Sequence, residues 1–201
     1  MAYFPFKIYC DMDGVLVDFE KGAVAAINAQ LSSQNPKFPH LAAQVIKTLG
    51  RNYVVLSDIK KYDPSKVDIA AQYMYTLLED DEKWWATLPW MEDGERLWTY
   101  IRQFNPQILT SPMDKGGKSG SLAGKRRWVA EHLKISPDRI IFKHDKWEKA
   151  ISEHGKRNIL IDDFAAKIDP WIKAGGIGIL HLNTHNTISI LQMIEKTREA
   201  P

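Results

Sequence analysis

The chain has 201 residues, 44% of them hydrophobic and 26% charged, which suits one large globular domain or a core domain that carries a smaller insertion. Its 27 basic and 25 acidic side chains give a net charge of +2, which argues against a dedicated nucleic-acid module. A single cysteine excludes a disulfide framework and a Cys-rich zinc site. The sequence shows neither a secretory signal pattern nor an apolar run of membrane-spanning length, so we expect a cytoplasmic protein without membrane contact.

Short apolar, β-branched segments alternate with amphipathic stretches along most of the chain, which is typical of a parallel sheet covered by helices. The predicted strands are Lys7–Asp11, Gln107–Thr110, Arg139–Lys143, Asn158–Asp162 and Ile177–His181. The predicted helices between and after the later strands are Leu122–Leu133, Lys146–Glu153, Ala165–Ala174 and Thr187–Thr197. The sequence therefore predicts an α/β fold with a Rossmann-like parallel sheet.

The interval from Phe19 to Glu95 breaks this alternation. Apolar residues recur there at helical spacing, in the segments Ala23–Leu31, Leu41–Leu49 and Val67–Leu78. Because the interval is too long for an ordinary connection between strands, it predicts an inserted helical cap. We expect residues 1–18 and 96–201 to form the α/β core domain and residues 19–95 to form the cap subdomain.

Pairs of acidic residues follow two of the predicted strands. Asp11 and Asp13 end the first strand with Gly14 directly behind them, and Asp162 and Asp163 end the fourth. Each pair alone also fits a surface turn or a helix N-cap. If the two strands are neighbours, the four carboxylates meet at one edge of the sheet, where a hard divalent ion such as Mg²⁺ would neutralise them.

Two hydroxyl residues and a lysine are further candidates for a functional site. Thr110 and Ser111 end the second strand, and Lys125 opens the amphipathic segment that follows. Taken singly, these are common as a turn residue and as a solvated helix surface. Together with acids and Mg²⁺ they suit the binding of a phosphoryl group.

In this order, the motifs resemble those of the haloacid dehalogenase (HAD) superfamily of phosphotransferases. The matching segments are DMDGVLVDF from Asp11, ILTSP from Ile108, Lys125, and ILIDD from Ile159. The resemblance covers nearly the whole chain and implies the HAD fold. Within the superfamily, the chain is most similar to the 5'(3')-deoxyribonucleotidase family, on DMDGVLVDFE and on TSP followed by a lysine and Trp-Val.

The resemblance implies a catalytic centre with two aspartates. Asp11 would be the nucleophile that forms an aspartyl-phosphate, and Asp13 would protonate the leaving oxygen and then activate water. The Mg²⁺ ion would be held by Asp11, by the backbone carbonyl of Asp13 and by Asp163.

The resemblance also implies how the phosphate is held. Thr110, Ser111 and Lys125 would bind the phosphate oxygens, and Asp162 would orient Lys125. The physics agrees with this picture, because a carboxylate attacks an anionic phosphate only where cations offset the repulsion.

Substrate choice is expected to lie with the cap and with one further lysine. Phe19 matches a base-contacting aromatic of the nucleotidases, Trp84 and Trp85 fall near their base-binding segment, and Lys146 matches a substrate-contacting lysine. Core packing of the tryptophans and a surface helix start at Lys146 are equally compatible with the sequence. Phe164 departs from the pattern, which tends to have arginine there.

We therefore expect a Mg²⁺-dependent phosphomonoesterase that acts on (deoxy)nucleoside monophosphates. Three alternatives stay open: a HAD phosphatase for another small phosphate ester, a non-catalytic binding protein of the same fold, and a phosphatase of nucleic-acid ends. The near-neutral charge disfavours the last of these. The expected partner is a small molecule, and homodimer formation stays open.

Overall fold

The protein contains a five-stranded parallel sheet, seen in a computed structural model that describes residues 6–60, 68–113 and 120–196. The strands are β1 (Ile8–Cys10), β2 (Gln107–Thr110), β3 (Ile140–Phe142), β4 (Ile159–Asp162) and β5 (Ile177–Leu180). Their spatial order is β3-β2-β1-β4-β5, and every neighbouring pair is parallel. The predicted fold class is confirmed, and each predicted strand is found within one residue at either end.

Helices in the described residues account for the other predicted elements, with one exception. In chain order they are α1 (Phe19–Leu31), α2 (Pro39–Leu49), α3 (Leu56–Lys60), α4 (Ile69–Leu78), α5 (Glu82–Ala86), α6 (Gly94–Ile101), α7 (Gly120–Trp128), α8 (Ala165–Lys173) and α9 (Thr184–Lys196). A π-helical turn, Val129–Leu133, extends α7. Predicted residues Val67 and Thr197 lie outside the described residues. No helix in the described ranges is long and apolar enough to cross a membrane.

One predicted helix, Lys146–Glu153, is wrong. Only the 3₁₀ turn Lys146–Lys149 forms there. The carbonyl of Lys149 accepts a hydrogen bond from the side chain of Asn158, and the carbonyl of Ala150 accepts one from the Asn158 N–H. Because both carbonyls bond to the start of β4, they are not available to a following helical turn.

The chain divides into two compact units. The first, which we call the core unit, comprises Met1–Asp18, Pro89–Pro112 and Val129–Pro201 and contains the sheet. The second, the helical unit, comprises Phe19–Leu88 and Met113–Trp128. These boundaries differ from the expected ones, because the helical unit ends before residue 95 and takes in a later segment. The role of a cap stays a prediction.

Close packing of α7 on α5 explains why the later segment belongs to the helical unit. A Cβ atom on Gly124 would lie 2.3 Å from the Cβ of Trp85, so only glycine permits this approach. The Ser121 N–H donates to the carbonyl of Glu79 at 3.0 Å. The amphipathic pattern of α7 predicted a helix but carried no information about its packing partner.

Candidate active site

The central residue of the candidate site is Asp11, which directly follows β1. Its N–H donates to the carbonyl of Ile161 at 2.8 Å, and Cys10 stands opposite Ile161 in the sheet. The ends of β1 and β4 are therefore neighbours, as the sequence analysis required. One carboxylate oxygen from each of Asp11, Asp162 and Asp163 lies within 4.8 Å of the others.

The loop after β1 is tightly folded and brings Asp163 against it. The N–H groups of Leu16 and Val17 both donate to the carbonyl of Met12 at 2.9 Å. Gly14 has a φ of +74°, and a Cβ there would lie 2.3 Å from Oδ2 of Asp163. Glycine is thus required twice, for the left-handed backbone and for the space that the carboxylate occupies.

A buried lysine neutralises part of this negative charge. Lys146 is only 2% exposed, and its Nζ lies 2.8 Å from Oδ1 of Asp11 and 2.7 Å from Oδ2 of Asp162. The other oxygen of Asp162 accepts from the Phe164 N–H at 2.9 Å. Within the core unit, the lysine that Asp162 contacts is Lys146. The expected orientation of Lys125 by Asp162 stays a prediction. The reading of Lys146 as a surface helix start is wrong.

Burial and charge crowding perturb the titration of these groups. Removal from water and then the charge of Asp11 raise the pKa of Asp162 to about 6, although Lys146 opposes the rise. The pKa of Asp163 is raised to about 7 by partial shielding from water and then by Asp11 and Asp162, although its side chain reaches solvent. Burial would lower the pKa of Lys146, but the carboxylates of Asp11 and Asp162 raise it.

The cluster fits a hard divalent cation. The cluster has three carboxylates, and the Lys146 ammonium contacts two of them, so at neutral pH negative charge is in excess. All three offer oxygen ligands, which Mg²⁺ prefers. Because Asp162 already serves Lys146 and a backbone N–H, the oxygens of Asp11 and Asp163 are the better ligands. The charge of Asp13 also raises the pKa of Asp163, which places the Asp13 carboxylate in the same electrostatic environment.

The hydroxyl pair lies at the end of β2, in the core unit. Thr110 is fully buried, and its carbonyl accepts from the Lys143 N–H at 3.0 Å. The Ser111 hydroxyl donates to the carbonyl of Lys143 at 3.4 Å. β2 is the neighbour of β1, so both residues follow a strand adjacent to that of Asp11. Their contact with phosphate stays a prediction.

Lys125 lies in α7 of the helical unit and is fully buried, so it is not the solvated surface residue that the sequence also allowed. Its Nζ stands 4.9 Å from the ring centroid of Trp85. A cation in this position interacts with the electron-rich face of the indole. The prediction that Lys125 binds phosphate is not tested by this contact.

The aromatic residues expected to hold a base form a packed cluster within the helical unit. Phe19 stacks on Trp85 with centroids 5.4 Å apart, and Trp84 meets both rings edge-on. Trp85 is 1% exposed, and its Nε1 donates to the carbonyl of Leu78 at 2.8 Å. Trp85 therefore has no free surface for a base in this structure and acts as a packing residue. Phe19 and Trp84 are half-buried, and their predicted contact stays open.

Lys146 is the residue whose role the sequence analysis underestimated. It lies four residues beyond the end of β3, on the same edge of the sheet as Asp11 and Asp162. The available signal was its place shortly after the end of a predicted strand. The acidic pairs and the hydroxyl pair were identified by the same criterion. The predicted helix over Lys146–Glu153 concealed this signal.

A pocket of about 230 Å³ opens beside the loop that contains Gly14. It is lined in part by His181, which follows β5 and donates its N–H to the carbonyl of Asp162 at 2.8 Å. Nδ1 of His181 lies 2.9 Å from Oγ1 of Thr187, and burial lowers the pKa of the imidazole. The sequence analysis assigned His181 no role, because no pattern connects it to the acidic pairs.

No protein-family model and no curated protein matches the sequence, but solved structures match the fold. A hydrolase from Streptococcus pneumoniae TIGR4 has 15% identity and a TM-score of 0.52, and covers 96% of this chain and 100% of that one. A phosphonoacetaldehyde hydrolase-like protein from Oleispira antarctica has 11% identity and a TM-score of 0.50, with 98% and 85% covered. A haloacid dehalogenase-like hydrolase from Burkholderia xenovorans LB400 has 16% identity and a TM-score of 0.47, with 85% and 78% covered.

The protein therefore has the fold of the HAD-type hydrolases. At these levels of identity the likeness shows the fold alone. The resemblance to the 5'(3')-deoxyribonucleotidases rests on the motifs in the sequence.

Proposed function

We propose that the protein is a Mg²⁺-dependent phosphomonoesterase that hydrolyses (deoxy)nucleoside monophosphates through an aspartyl-phosphate on Asp11. One observation carries the proposal: Asp11 lies at the carboxyl edge of the sheet, among three clustered carboxylates, with a buried lysine on one of its oxygens. Structural stability alone does not favour such a cluster, because like charges so close together repel each other. A dianionic substrate with a metal ion accounts for it.

The reaction takes two steps. In the first, a carboxylate oxygen of Asp11 attacks phosphorus, the bond from phosphorus to the ester oxygen breaks, and Asp13 gives its proton to that oxygen. In the second, Asp13 takes a proton from water, and the water oxygen attacks phosphorus. The bond between phosphorus and Asp11 then breaks, which releases inorganic phosphate, regenerates the Asp11 carboxylate and leaves Asp13 protonated, as it was at the start.

Lys146 prepares Asp11 for this attack. Its ammonium group lies 2.8 Å from Oδ1 of Asp11 and holds that carboxylate in position. Asp162 acts through Lys146, since it binds the same ammonium group and is itself fixed by a backbone N–H. Mg²⁺, held by Asp11, Asp163 and the backbone carbonyl of Asp13, would supply the positive charge that offsets the charge of the phosphate.

The remaining phosphate contacts are proposed for Thr110, Ser111 and Lys125. A hydroxyl or ammonium donor on a phosphate oxygen stabilises the charge that develops during transfer. Support for Thr110 and Ser111 comes from their place at the end of β2, next to β1. Lys125 is supported by the sequence resemblance alone.

A nucleoside monophosphate is the substrate that the motifs favour, with Phe19 and Trp84 as base contacts. Another small phosphate ester is the alternative, and it requires no change to the catalytic residues. A cytoplasmic location remains part of the proposal on the basis of the single cysteine, which is buried as Cys10.

The decisive experiment replaces Asp11 by asparagine and compares it with Asp169→Asn, an exposed position in α8 outside the cluster. Each protein is assayed with Mg²⁺ against nucleoside monophosphates, sugar phosphates and phosphate-terminated oligonucleotides. We expect Asp11→Asn to lose at least roughly 10³-fold in kcat, because the nucleophile is removed, while Asp169→Asn retains activity. Activity of Asp11→Asn within tenfold of the wild type would refute the covalent mechanism. A preference for sugar phosphates would overturn the assignment to nucleotides.

A further inference from the structure

Two exposed aromatic side chains directly follow residues of the charged cluster. In the described part of the core unit, the aromatic side chains with the largest exposed fractions are Phe164, at 59%, and Trp147, at 46%. Phe164 is the residue after Asp163, and Trp147 is the residue after Lys146. Exposed apolar side chains scattered over a surface need no explanation, but two of them beside a candidate active site do.

The local structure gives no stabilising reason for a phenylalanine at position 164. This residue is the N-cap of α8, where Asp, Asn, Ser or Thr would satisfy a free N–H group of the helix, and it makes no such side-chain bond. Its ring is not buried either, so the position gains little from the hydrophobic effect. The benefit of the ring must therefore come from something outside the chain.

Trp147 and Phe164 belong to segments that pack against each other. The helix α8 begins directly after Phe164 and contacts the turn Lys146–Lys149, which contains Trp147. Lys167 of α8 donates to the carbonyl of His144 at 2.9 Å and fixes the two segments. Both rings therefore stand on firmly held backbone at the carboxyl edge of the sheet.

We propose that Phe164 and Trp147 form an apolar rim beside the phosphate site, which binds an aromatic or heteroaromatic group of the phosphate ester. This inference rests on the proposed function, since the clustered charges are needed to hold the phosphate. The rim favours an uncharged, flat group over a second anionic group, because the nearby carboxylates repel anions. It also supplies the aromatic contact that the buried Trp85 does not offer.

The test measures binding and turnover separately, with Mg²⁺ present. Binding of phenylphosphonate and methylphosphonate is measured by calorimetry for the wild type, Phe164→Ala, Phe164→Leu and Trp147→Ala. Ile172→Ala is the matched control, because Ile172 lies on α8, which Phe164 caps, and is similarly exposed, at 50%, but does not follow a residue of the charged cluster. Turnover of 1-naphthyl phosphate and glycerol phosphate is measured for the same proteins.

We expect Phe164→Ala and Trp147→Ala to weaken phenylphosphonate binding by roughly three- to tenfold, with little effect on methylphosphonate. Phe164→Leu should lose less, and Ile172→Ala nothing. In turnover, the loss should appear in KM for 1-naphthyl phosphate and not in kcat, because the rim binds ground state and transition state alike.

Equal changes for the two phosphonates, or none, would overturn the rim while leaving the proposed function intact. Selective loss of phenylphosphonate binding in the two alanine variants, together with a wild type that hydrolyses neither these esters nor nucleoside monophosphates, would support the rim and overturn the proposed function. The two failures therefore give different results.

Discussion

Two lysines are fully buried in the described part of the chain, and they lie in contrasting surroundings. Lys146 of the core unit stands between the carboxylates of Asp11 and Asp162. Lys125 of the helical unit stands over the ring of Trp85. The contrast shows that burial of a lysine does not by itself define a catalytic role. The role depends on the groups that surround the ammonium.

The two environments differ in the strength of interaction that they offer. A cation over an indole gains about 2 kcal/mol when it is shielded from water. Breaking a buried ion pair by removal of one partner costs roughly 3–5 kcal/mol, because the remaining charge is left uncompensated. Lys146 compensates two carboxylates. Its removal should therefore lower both the free energy of unfolding and the catalytic rate more than the removal of Lys125 does.

The largest difference between the two regions should appear in Lys146→Met and Lys125→Met. We expect Lys146→Met to lose roughly 10²–10³-fold in kcat, because Asp11 loses its positioning cation. Lys146→Met should also be destabilised by about 3 kcal/mol at pH 8 in chemical unfolding. The destabilisation should shrink at pH 5, where protonation of Asp162 removes one of the repelling charges.

Lys125→Met serves as the comparison in the same assays, since it replaces a buried lysine of the helical unit by the same residue. A smaller loss of kcat is expected for it. A larger loss of kcat for Lys125→Met than for Lys146→Met would show that Lys125 contributes more to catalysis than Lys146 does.

The second prediction concerns the stability of the helical unit. Trp85→Ala removes a buried ring that contacts Phe19, Trp84 and Lys125, and it should cost about 4 kcal/mol of unfolding free energy. Below the unfolding transition, kcat should stay within a few-fold of the wild type, because the catalytic carboxylates lie in the core unit. Stability near that of the wild type, with a selective rise in KM for nucleotides, would show that Trp85 contacts the base after all.

The smallest effect is expected in the response of the melting temperature to Mg²⁺. The folded pKa values of Asp162 and Asp163 lie above the usual carboxylate value, so their stabilising contribution is present at low pH and is lost as pH rises through about 6 to 7. A cation should relieve the resulting repulsion. We expect Mg²⁺ at saturation to raise the melting temperature by about 5 °C at pH 8 and by less than about 2 °C at pH 5.5.

The variant Asp163→Asn should remove this response and melt higher than the wild type at pH 8 without metal. Asp169→Asn, on the same helix, should keep the response. An equal effect of Mg²⁺ at both pH values, or an effect that survives in Asp163→Asn, would exclude the carboxylate cluster as the site of binding.

The strands and the acidic pairs were predictable because both depend on local patterns. Apolar runs with β-branched residues define the strands, and the carboxyl ends of parallel strands necessarily share one edge, which brings Asp11 and Asp163 together. The place of Lys146 was not predictable in the same way. Its segment has a helical pattern, and only hydrogen bonds from Asn158, eight or more residues further on, stop the helix.

The packing of α7 on α5 was also beyond the sequence, because it depends on contact between segments far apart in the chain. Glycine inside a helix ordinarily lowers its stability, but in α7 Gly124 is the position that allows the approach to Trp85. The same contact explains why Lys125 lies over an indole ring.

The division of the chain into units has a consequence for attempts to dissect the protein. The backbone passes between the core unit and the helical unit four times, at residues 18/19, 88/89, 112/113 and 128/129. Cleavage of the chain at one position therefore cannot separate the two units. Deletion of residues 19–88 would remove α5, against which Gly124 of α7 packs. A minimal version of the sheet would need both helical segments replaced by short connections, so any simpler form of this architecture requires two coordinated deletions.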